Sequence, residues 1–271
     1  MEAWITDQKE LQPVILLVDD NEEILDYLAA DLKIHYTVLT ARDGREACTI
    51  LDAELVQLII SDVMMPNMDG FEFCEKIKSS VEYSHIPLIL LTAKDTLQSK
   101  IQGLKTGADA YIEKPFSLEH LYAQMENLLE GRARLKTFYA RSPMAHISSM
   151  AYSKMDMEFL EALHALIVRN LDDPNLDVEL LAQGMNMSRP TLYRKIKSIS
   201  GLAPYDIINL TRLKKAAALI GEGNHRINEV AELVGYSSSS QFKRNFLKQF
   251  KMAPSEYIEK VSGTFNKHKD T

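Results

Sequence analysis

The chain has 271 residues, 46% of them hydrophobic, which suits about two globular domains. No apolar stretch reaches the roughly 20 residues that a membrane-spanning helix needs. Because the first twelve residues also lack a signal pattern, we expect a cytoplasmic protein with no membrane contact. The two cysteines, Cys48 and Cys74, have no metal-ligand spacing around them and are interpreted as small core residues in a reducing compartment.

Charge is distributed unevenly along the chain, whose net charge is -7. Residues 1–131 contain 10 Lys and Arg against 24 Asp and Glu, whereas residues 132–271 contain 21 against 14. The two halves therefore carry opposite net charges. This asymmetry predicts two domains with different partners, the basic one binding a polyanion.

The acidic half alternates short apolar segments with stretches of helical period. The apolar segments are too short for helices, and they are continuous rather than alternating, as expected for strands buried on both faces. They lie at residues 14–19, 36–41, 58–63, 87–93 and 110–115. This order predicts a doubly wound α/β domain with a five-stranded parallel sheet.

Polar side chains stand at the ends of these predicted strands: Asp19, Asp20, Asp62, Thr92 and Lys114. The reactive groups of parallel sheets collect at the carboxyl ends of the strands, so we expect all five to converge at one edge. Neighbouring carboxylates repel unless a cation joins them, and Mg²⁺ prefers such oxygen ligands. A simpler interpretation is that Asp20 or Asn21 only caps the next helix.

Residues 13–130 resemble the receiver domain of bacterial response regulators. The resemblance rests on "VDD", "SDVMMPNMDG", "LTA" and "KPF", which occur in the expected order and spacing. It implies a flavodoxin-like fold in which Asp62 accepts a phosphoryl group from a histidine kinase. It also implies Mg²⁺ bound by Asp20, Asp62 and the backbone carbonyl of Met64, with Asp19 helping through water.

The same resemblance implies a switch and no enzymatic activity beyond self-phosphorylation and slow self-dephosphorylation. Lys114, before a cis Pro115, would offset charge on the phosphoryl group. Thr92 would turn its hydroxyl toward that group, and Tyr111 would move inward, reshaping the face of the receiver's fourth and fifth helices and fifth strand. Taken alone, Tyr111 on a strand is more often a packed aromatic residue. We expect the phosphorylated chain to form a homodimer.

Residues 131–155 have no sustained period and are predicted to be a linker, although their basic start could continue the last receiver helix. Residues 1–12 are a leader, and residues 261–271 a tail. Between them, residues 156–260 are helical and contain a repeat, since residues 180–208 match residues 230–258. A short helix, a turn and a basic helix, used twice, predict a tandem helix-turn-helix domain.

The second helix of each repeat has an apolar and a polar face. An outward Arg recurs at corresponding positions, which favours DNA binding over a merely solvated face. Lys195, Lys197, Lys243 and Lys248 are predicted to contact phosphates, since lysines supply salt-dependent affinity. The full predicted DNA-binding set is Arg189, Pro190, Thr191, Tyr193, Arg194, Lys195, Lys197, Ser239, Ser240, Gln241, Lys243, Arg244 and Lys248.

Residues 156–260 resemble the DNA-binding domain of the AraC/XylS regulators, including "GLAPYD" and "MAPSEYI" after the basic helices. The resemblance implies a connecting helix at residues 204–221, about 26 Å long, that holds two recognition helices near successive major-groove turns. The second unit departs from the family pattern, because Lys251 stands where the first unit has Gly201.

Together the two halves predict a two-component response regulator that binds specific DNA under the control of a separate or fused histidine kinase. The pairing also resembles the C-terminal end of hybrid two-component sensors, so a free-standing regulator and a fragment of a hybrid both remain open. Two other classes remain as alternatives. One is an adaptor whose helical repeat binds protein, and the other is an aspartyl-phosphate hydrolase that uses Asp62.

Overall fold

The computed structural model describes residues 12–93, 106–142 and 145–267. They form two compact units. The sheet unit comprises the described residues up to 135 together with residues 151–156, and the helical unit comprises residues 136–150 and those from 157 onward. Among the described residues, no helix is both long enough and apolar enough to cross a membrane.

The sheet unit is built on the five parallel strands that the apolar segments predict. These are β1 (Val14–Val18), β2 (Thr37–Ala41), β3 (Leu58–Asp62), β4 (Leu88–Thr92) and β5 (Ala110–Glu113). Their order across the sheet is β2-β1-β3-β4-β5, with β3 in the centre. The predicted strand segments are confirmed to within one or two residues at each end.

Helices cover both faces of this sheet: α1 (Glu22–Leu32), α2 (Gly44–Ala53), α3 (Gly70–Ser79) and α4 (Leu118–Arg141). Alternate residues of each strand enter different cores. Leu16 and Ile59 pack with residues of α2 and α3, while Leu17 and Ile60 pack with residues of α1 and α4. Because both faces are buried, the strand sequences are apolar throughout.

The predicted linker at residues 131–155 differs from the structure, where most of it is helical. Helix α4 continues to Arg141, a short 3-10 helix occupies Ile147–Met150, and α5 (Lys154–Arg169) begins directly afterwards. Arg132 explains part of this continuation, because its guanidinium is buried, lies 4.1 Å from the centre of the Tyr152 ring and contacts Asp109 at 3.4 Å. The alternative that the basic start extends the last sheet-unit helix is therefore correct.

The helical unit contains the predicted repeat. Its elements after α5 are α6 (Val178–Gly184), α7 (Arg189–Ser200), α8 (Pro204–Glu222), α9 (Ile227–Leu233), α10 (Ser239–Phe250) and α11 (Pro254–Lys267). Ser188 and Ser238 cap α7 and α10 with their hydroxyls, at equivalent positions of the two repeats. Helix α8 connects the repeats and ends within one residue of the predicted position.

Each repeat ends its second helix with a residue in the left-handed conformation. Gly201 has φ 72° and Lys251 has φ 59°, and their backbone N–H groups donate to the carbonyls of Lys197 and Leu247. The turn after α10 therefore keeps the geometry of the first repeat although it lacks the glycine. A side chain in this conformation costs roughly 1–2 kcal/mol.

Candidate functional site

The acidic site of the sheet unit lies where β1, β3 and β5 end. Asp62 is the last residue of the central strand β3, Asp19 follows β1, and Lys114 follows β5. Parallel pairing keeps these ends level, since Asp19 N–H donates to Ala41 O of β2 and Lys114 N–H donates to Thr92 O of β4. The sheet register therefore brings Asp19, Asp62 and Lys114 together, as expected for residues at the carboxyl ends of parallel strands.

Lys114 joins the two buried carboxylates. Its Nζ donates to Asp62 Oδ1 at 2.6 Å and to Asp19 Oδ2 at 3.0 Å. The exposed fractions of Asp62 and Asp19 are only 7% and 4%. The Lys114–Pro115 peptide bond is cis, as expected.

The second oxygen of each carboxylate accepts a backbone hydrogen bond. Asn21 N–H donates to Asp19 Oδ1 at 2.9 Å, and Met64 N–H donates to Asp62 Oδ2 at 2.6 Å. Both aspartates are therefore fixed in orientation by the loops that follow their strands. Each carboxylate group therefore keeps one orientation in the site.

The electrostatics of this cluster favour a positive charge between the carboxylates. Burial alone would lower the pKa of Lys114, but its hydrogen bonds to Asp62 and Asp19 outweigh that effect and raise the pKa. Lys114 is therefore a permanent ammonium. A cation is already the preferred occupant of the space between the two carboxylates.

The other predicted residues of this site lie around that pair. Asp20 is exposed, and Asn21, not Asp20, caps α1 by accepting from Glu23 N–H. Met64 has 72% of its side chain exposed. Thr92 is half-buried at the end of β4, and the hydroxyl of half-buried Tyr111 lies 3.1 Å from that of Thr106.

The oxygen-rich edge fits a magnesium ion. Among the described residues, no three His, Cys, Asp or Glu side chains are placed to hold a metal together. Mg²⁺ does not need such a set, because it is usually bound by one or two carboxylates and keeps several waters. Asp62 and the exposed Asp20 supply carboxylates of this type, and the paired oxygens that already bind the Lys114 ammonium show that the edge accepts positive charge.

The helical unit contains two basic helices, α7 and α10. Each has one apolar face and one polar face. Their apolar faces are buried, through Leu192, Ile196 and Ile199 in α7 and through Phe242 and Phe246 in α10. Most of the predicted DNA-binding residues are outside this core. Exposed are Arg189, Pro190, Tyr193, Ser240, Lys243 and Arg244, and half-buried are Thr191, Arg194, Lys197, Ser239, Gln241 and Lys248.

Lys195 contradicts its predicted placement. Its exposed fraction is 0%, and its ammonium lies 5.6 Å from the centre of the Phe159 ring. A side chain enclosed in this way does not contact a DNA phosphate. The sequence spacing indicates this inward placement, because Lys195 lies three residues after Leu192 and four before Ile199, on the buried face of the helix.

Family models match both halves of the chain. The model described as response regulator receiver domain matches residues 15–126, and the model described as helix-turn-helix domain matches residues 181–260. The chain carries a receiver domain and an AraC-type helix-turn-helix domain. The sheet unit holds the receiver, and the helical unit holds the helix-turn-helix domain.

Several proteins are similar to all or part of this chain. Histidine kinase P4 of Formosa agariphila is 35% identical over 98% of this chain and 19% of its own length. Response regulator MprA of Mycolicibacterium vanbaalenii is 40% identical over 42% of this chain and 49% of its own length. A receiver domain of a signal transduction histidine kinase from Syntrophus aciditrophicus is 36% identical over 44% of this chain and 91% of that chain, with a TM-score of 0.43. The chain thus spans 19% and 49% of the lengths of these two curated relatives.

A polar junction in the helix-turn-helix domain was missed by the sequence analysis. Asn209 of α8 accepts hydrogen bonds from Tyr236 and, at 3.5 Å, from Asn245 of α10. Three residues along the same helix, Arg212 donates to Asp173 O at 2.5 Å, in the loop before α6. Helix α8 thereby contacts the second repeat and the loop before α6 through buried polar side chains. A buried Asn or Arg on a helix gives no periodic signal, so only the tertiary partners reveal it.

Proposed function

We propose that the chain acts as a transcription factor whose DNA binding is controlled by phosphorylation of Asp62. The observation that carries this proposal is the buried Asp62 carboxylate, oriented by Met64 N–H and paired with the Lys114 ammonium. It occurs in one chain with two helices that present basic outer faces. A phosphoacceptor and a DNA reader joined in this way form a signal-controlled regulator.

The phosphoryl donor is a histidine kinase that carries phosphohistidine. A carboxylate oxygen of Asp62 attacks the phosphorus, the bond from phosphorus to the imidazole nitrogen breaks, and the imidazole takes up a proton as it leaves. Lys114 remains beside the product, where its charge offsets the negative oxygens of the phosphoryl group. The kinase domain lies in a separate protein or in the same polypeptide.

Asp20, Asp62 and the Met64 carbonyl would hold the magnesium ion, with Asp19 contributing through water. When bound, the ion neutralises charge on the phosphoryl oxygens. Lys114 binds Asp19 and Asp62 at 3.0 and 2.6 Å, and its ammonium would bind the phosphoryl group once Asp62 carries it.

Thr92 and Tyr111 are the proposed switch. Thr92 is the last residue of β4, the strand next to that of Asp62, and Lys114 N–H donates to its carbonyl. Phosphorylation therefore acts on a residue already coupled to the site. Tyr111 is half-buried, with its hydroxyl near that of Thr106. When Thr92 turns toward the phosphoryl group, Tyr111 moves inward behind it, which changes the surface around β5.

The helices α7 and α10 are the proposed recognition helices. Arg194, Arg244 and Gln241 carry planar groups that bind base edges in pairs of hydrogen bonds. Lys197, Lys243 and Lys248 contact phosphates, and the serines and Thr191 lie near the helix starts. Helix α8 has a length of about 28 Å, which suits recognition helices placed in successive turns of one DNA face.

The phosphoacceptor is tested by incubating the full chain with acetyl phosphate and Mg²⁺ and measuring the intact mass. We expect one added phosphoryl group for the wild type, the same addition for Asp26→Asn, and none for Asp62→Asn. Asp26 is a suitable control because it is an exposed aspartate of α1. An unaltered mass for the wild type would remove the signalling half of the proposal.

DNA binding is tested separately by genome-wide occupancy. We expect occupied sites for the wild type, loss of those sites for Arg244→Ala, and reduced occupancy for Asp62→Asn. Equal occupancy for the wild type and Asp62→Asn would mean that phosphorylation does not control DNA contact. A protein that binds no DNA at moderate salt would instead favour the adaptor function.

A further inference from the structure

Two histidines of the helical unit form a pair that plays no part in the proposed DNA reading. His146, just before the 3-10 helix, is exposed, and His164 of α5 is half-buried. Nε2 of His146 lies 3.3 Å from Nδ1 of His164, and the ring centres are 4.4 Å apart at an interplanar angle of 68°. Ring nitrogens from two separate elements thus face each other across a gap that is open to solvent on the His146 side.

The separation of these nitrogens matches that of two ligands on one tetrahedral metal ion. At the usual Zn–N distance of 2.0–2.1 Å, two ligand nitrogens lie about 3.3–3.4 Å apart. The ring centres of such a pair would lie about 5 Å apart at these bond lengths. The exposed His146 ring therefore has only to tilt outward slightly to aim both lone pairs at one ion.

The ring of His146 has a hydrogen-bond partner of the kind that metal-binding histidines have. Its Nδ1 lies 2.8 Å from the Ser148 hydroxyl. Histidines that bind metals nearly always place the second ring nitrogen against such a partner, which fixes the orientation of the ring. Nδ1 also accepts a hydrogen bond from the Ser148 backbone N–H at 3.3 Å. Metal binding at Nε2 therefore requires the tautomer in which Nδ1–H donates to the Ser148 hydroxyl instead, which leaves Nε2 with a lone pair directed at the gap.

The surroundings of His164 favour the neutral form of its ring. Burial, the neighbouring His146 and the cation of Lys214 lower the pKa of His164. A neutral imidazole is the form that binds a metal. The charge that opposes a metal ion here is the Lys214 ammonium, which donates to the carbonyls of Tyr139 and Ala145 at 2.9 and 2.8 Å.

We propose that His146 and His164 form a site for a borderline transition-metal ion such as Zn²⁺. Imidazole nitrogens suit this class of metal, in contrast to the oxygen-rich site of the receiver. Because no third His, Cys, Asp or Glu side chain of the described residues joins the pair, waters complete the coordination. The bound ion would tie the segment before the 3-10 helix to α5.

Zinc binding to the full chain is tested by isothermal titration in excess Mg²⁺, which saturates the acidic edge of the receiver. We expect one zinc ion bound by the wild type and none at this site in His146→Ala or His164→Gln. Ser148→Ala should weaken binding by about tenfold, as loss of a supporting partner does. His225→Ala should bind zinc as the wild type does, because His225 is exposed in the loop before α9.

Circular dichroism of each variant separates loss of the site from loss of the fold. His146→Gln is a second variant for the exposed position, because it keeps a polar side chain there and removes the ring. The proposal is overturned if the wild type binds no zinc, or if folded His146 and His164 variants bind it as tightly as the wild type. These outcomes are independent of phosphorylation and of DNA binding.

Discussion

At the level of single residues, the lysines of the two proposed recognition helices differ in exposure. Lys243 is exposed, whereas Lys195 is enclosed beside Phe159. Only the exposed lysine can displace counterions from DNA. Lysine contacts to phosphates are what make the affinity depend on salt.

We therefore predict that Lys243→Met lowers the slope of log affinity against log salt by about 0.9, while Lys195→Met leaves the slope unchanged. The measurement is DNA affinity across a salt series, with an operator fragment taken from the occupied sites. Equal reductions in slope for both variants would show that Lys195 reaches a phosphate after all.

The acidic site was predictable residue by residue, and the helix faces less so. Asp19, Asp62 and Lys114 come together because each follows a buried parallel strand, and a strand end can be read from an apolar run. Lys195 was misplaced because its charge was given more weight than its position. Its equivalent in the second repeat, Asn245, is also directed inward, toward Asn209, so comparing the repeats would have corrected the error.

At the level of helices and turns, the end of α10 carries strain that the end of α7 avoids. Lys251 holds a left-handed conformation that Gly201 adopts at the end of α7 without a steric penalty. We predict that Lys251→Gly stabilises the helical unit by about 1 kcal/mol or less, since relief of strain is partly offset by unfolded-state entropy. The midpoint of urea unfolding measures this.

Lys251→Ala is the matched control for that change. It also removes the charged chain, yet it retains a Cβ and therefore the strain, so we expect little change in the midpoint. A stabilisation equal to that of Lys251→Gly would attribute the effect to the lost charge.

Gly235 of the second repeat lies in close contact with the loop after α5 and with helix α8. A Cβ there would lie 2.3 Å from Leu171 O and 2.8 Å from the Arg212 guanidinium, whereas a Cβ at Gly223 meets nothing within 4 Å. Both glycines have positive φ, of 77° and 73°. Substitutions at Gly223 and Gly235 therefore separate the energetic cost of the backbone conformation from the cost of steric crowding.

We predict that Gly223→Ala destabilises the helical unit by about 1–2 kcal/mol through its backbone alone. Gly235→Ala should cost roughly 1–3 kcal/mol more, because its methyl group displaces the Leu171 carbonyl or Arg212. Chemical denaturation of the two variants provides the comparison. Equal losses would show that the contact around Gly235 adjusts freely.

Element boundaries were predictable where burial is periodic and not where it is irregular. All five strands follow from the apolar pattern, and the connecting helix α8 follows from the resemblance to the AraC/XylS regulators. The extension of α4 to Arg141 did not, because that segment has many charges and its order depends on tertiary contacts such as the one between Arg132 and Tyr152. A linker and a solvent-facing helix look alike in composition.

For the whole molecule, the proposed function links phosphorylation to self-association. Two helix-turn-helix domains joined in a dimer bind neighbouring half-sites with much greater affinity than either alone. We predict that phosphorylated wild type sediments as a dimer while Asp62→Asn, treated identically, remains a monomer. A phosphorylated monomer that still gains DNA affinity would mean that the switch acts within one chain.

The order of the strands restricts how such a dimer can form. In the described sheet, β2 and β5 are the outermost strands, of five and four residues. Strands this short, with exposed Thr37, Thr40 and Glu113, offer few unpaired backbone groups to another molecule. Sheet extension, the route by which exposed edges aggregate, is therefore disfavoured. We therefore expect self-association of this chain to use helical surfaces, which can be remodelled and released as the phosphoryl group comes and goes.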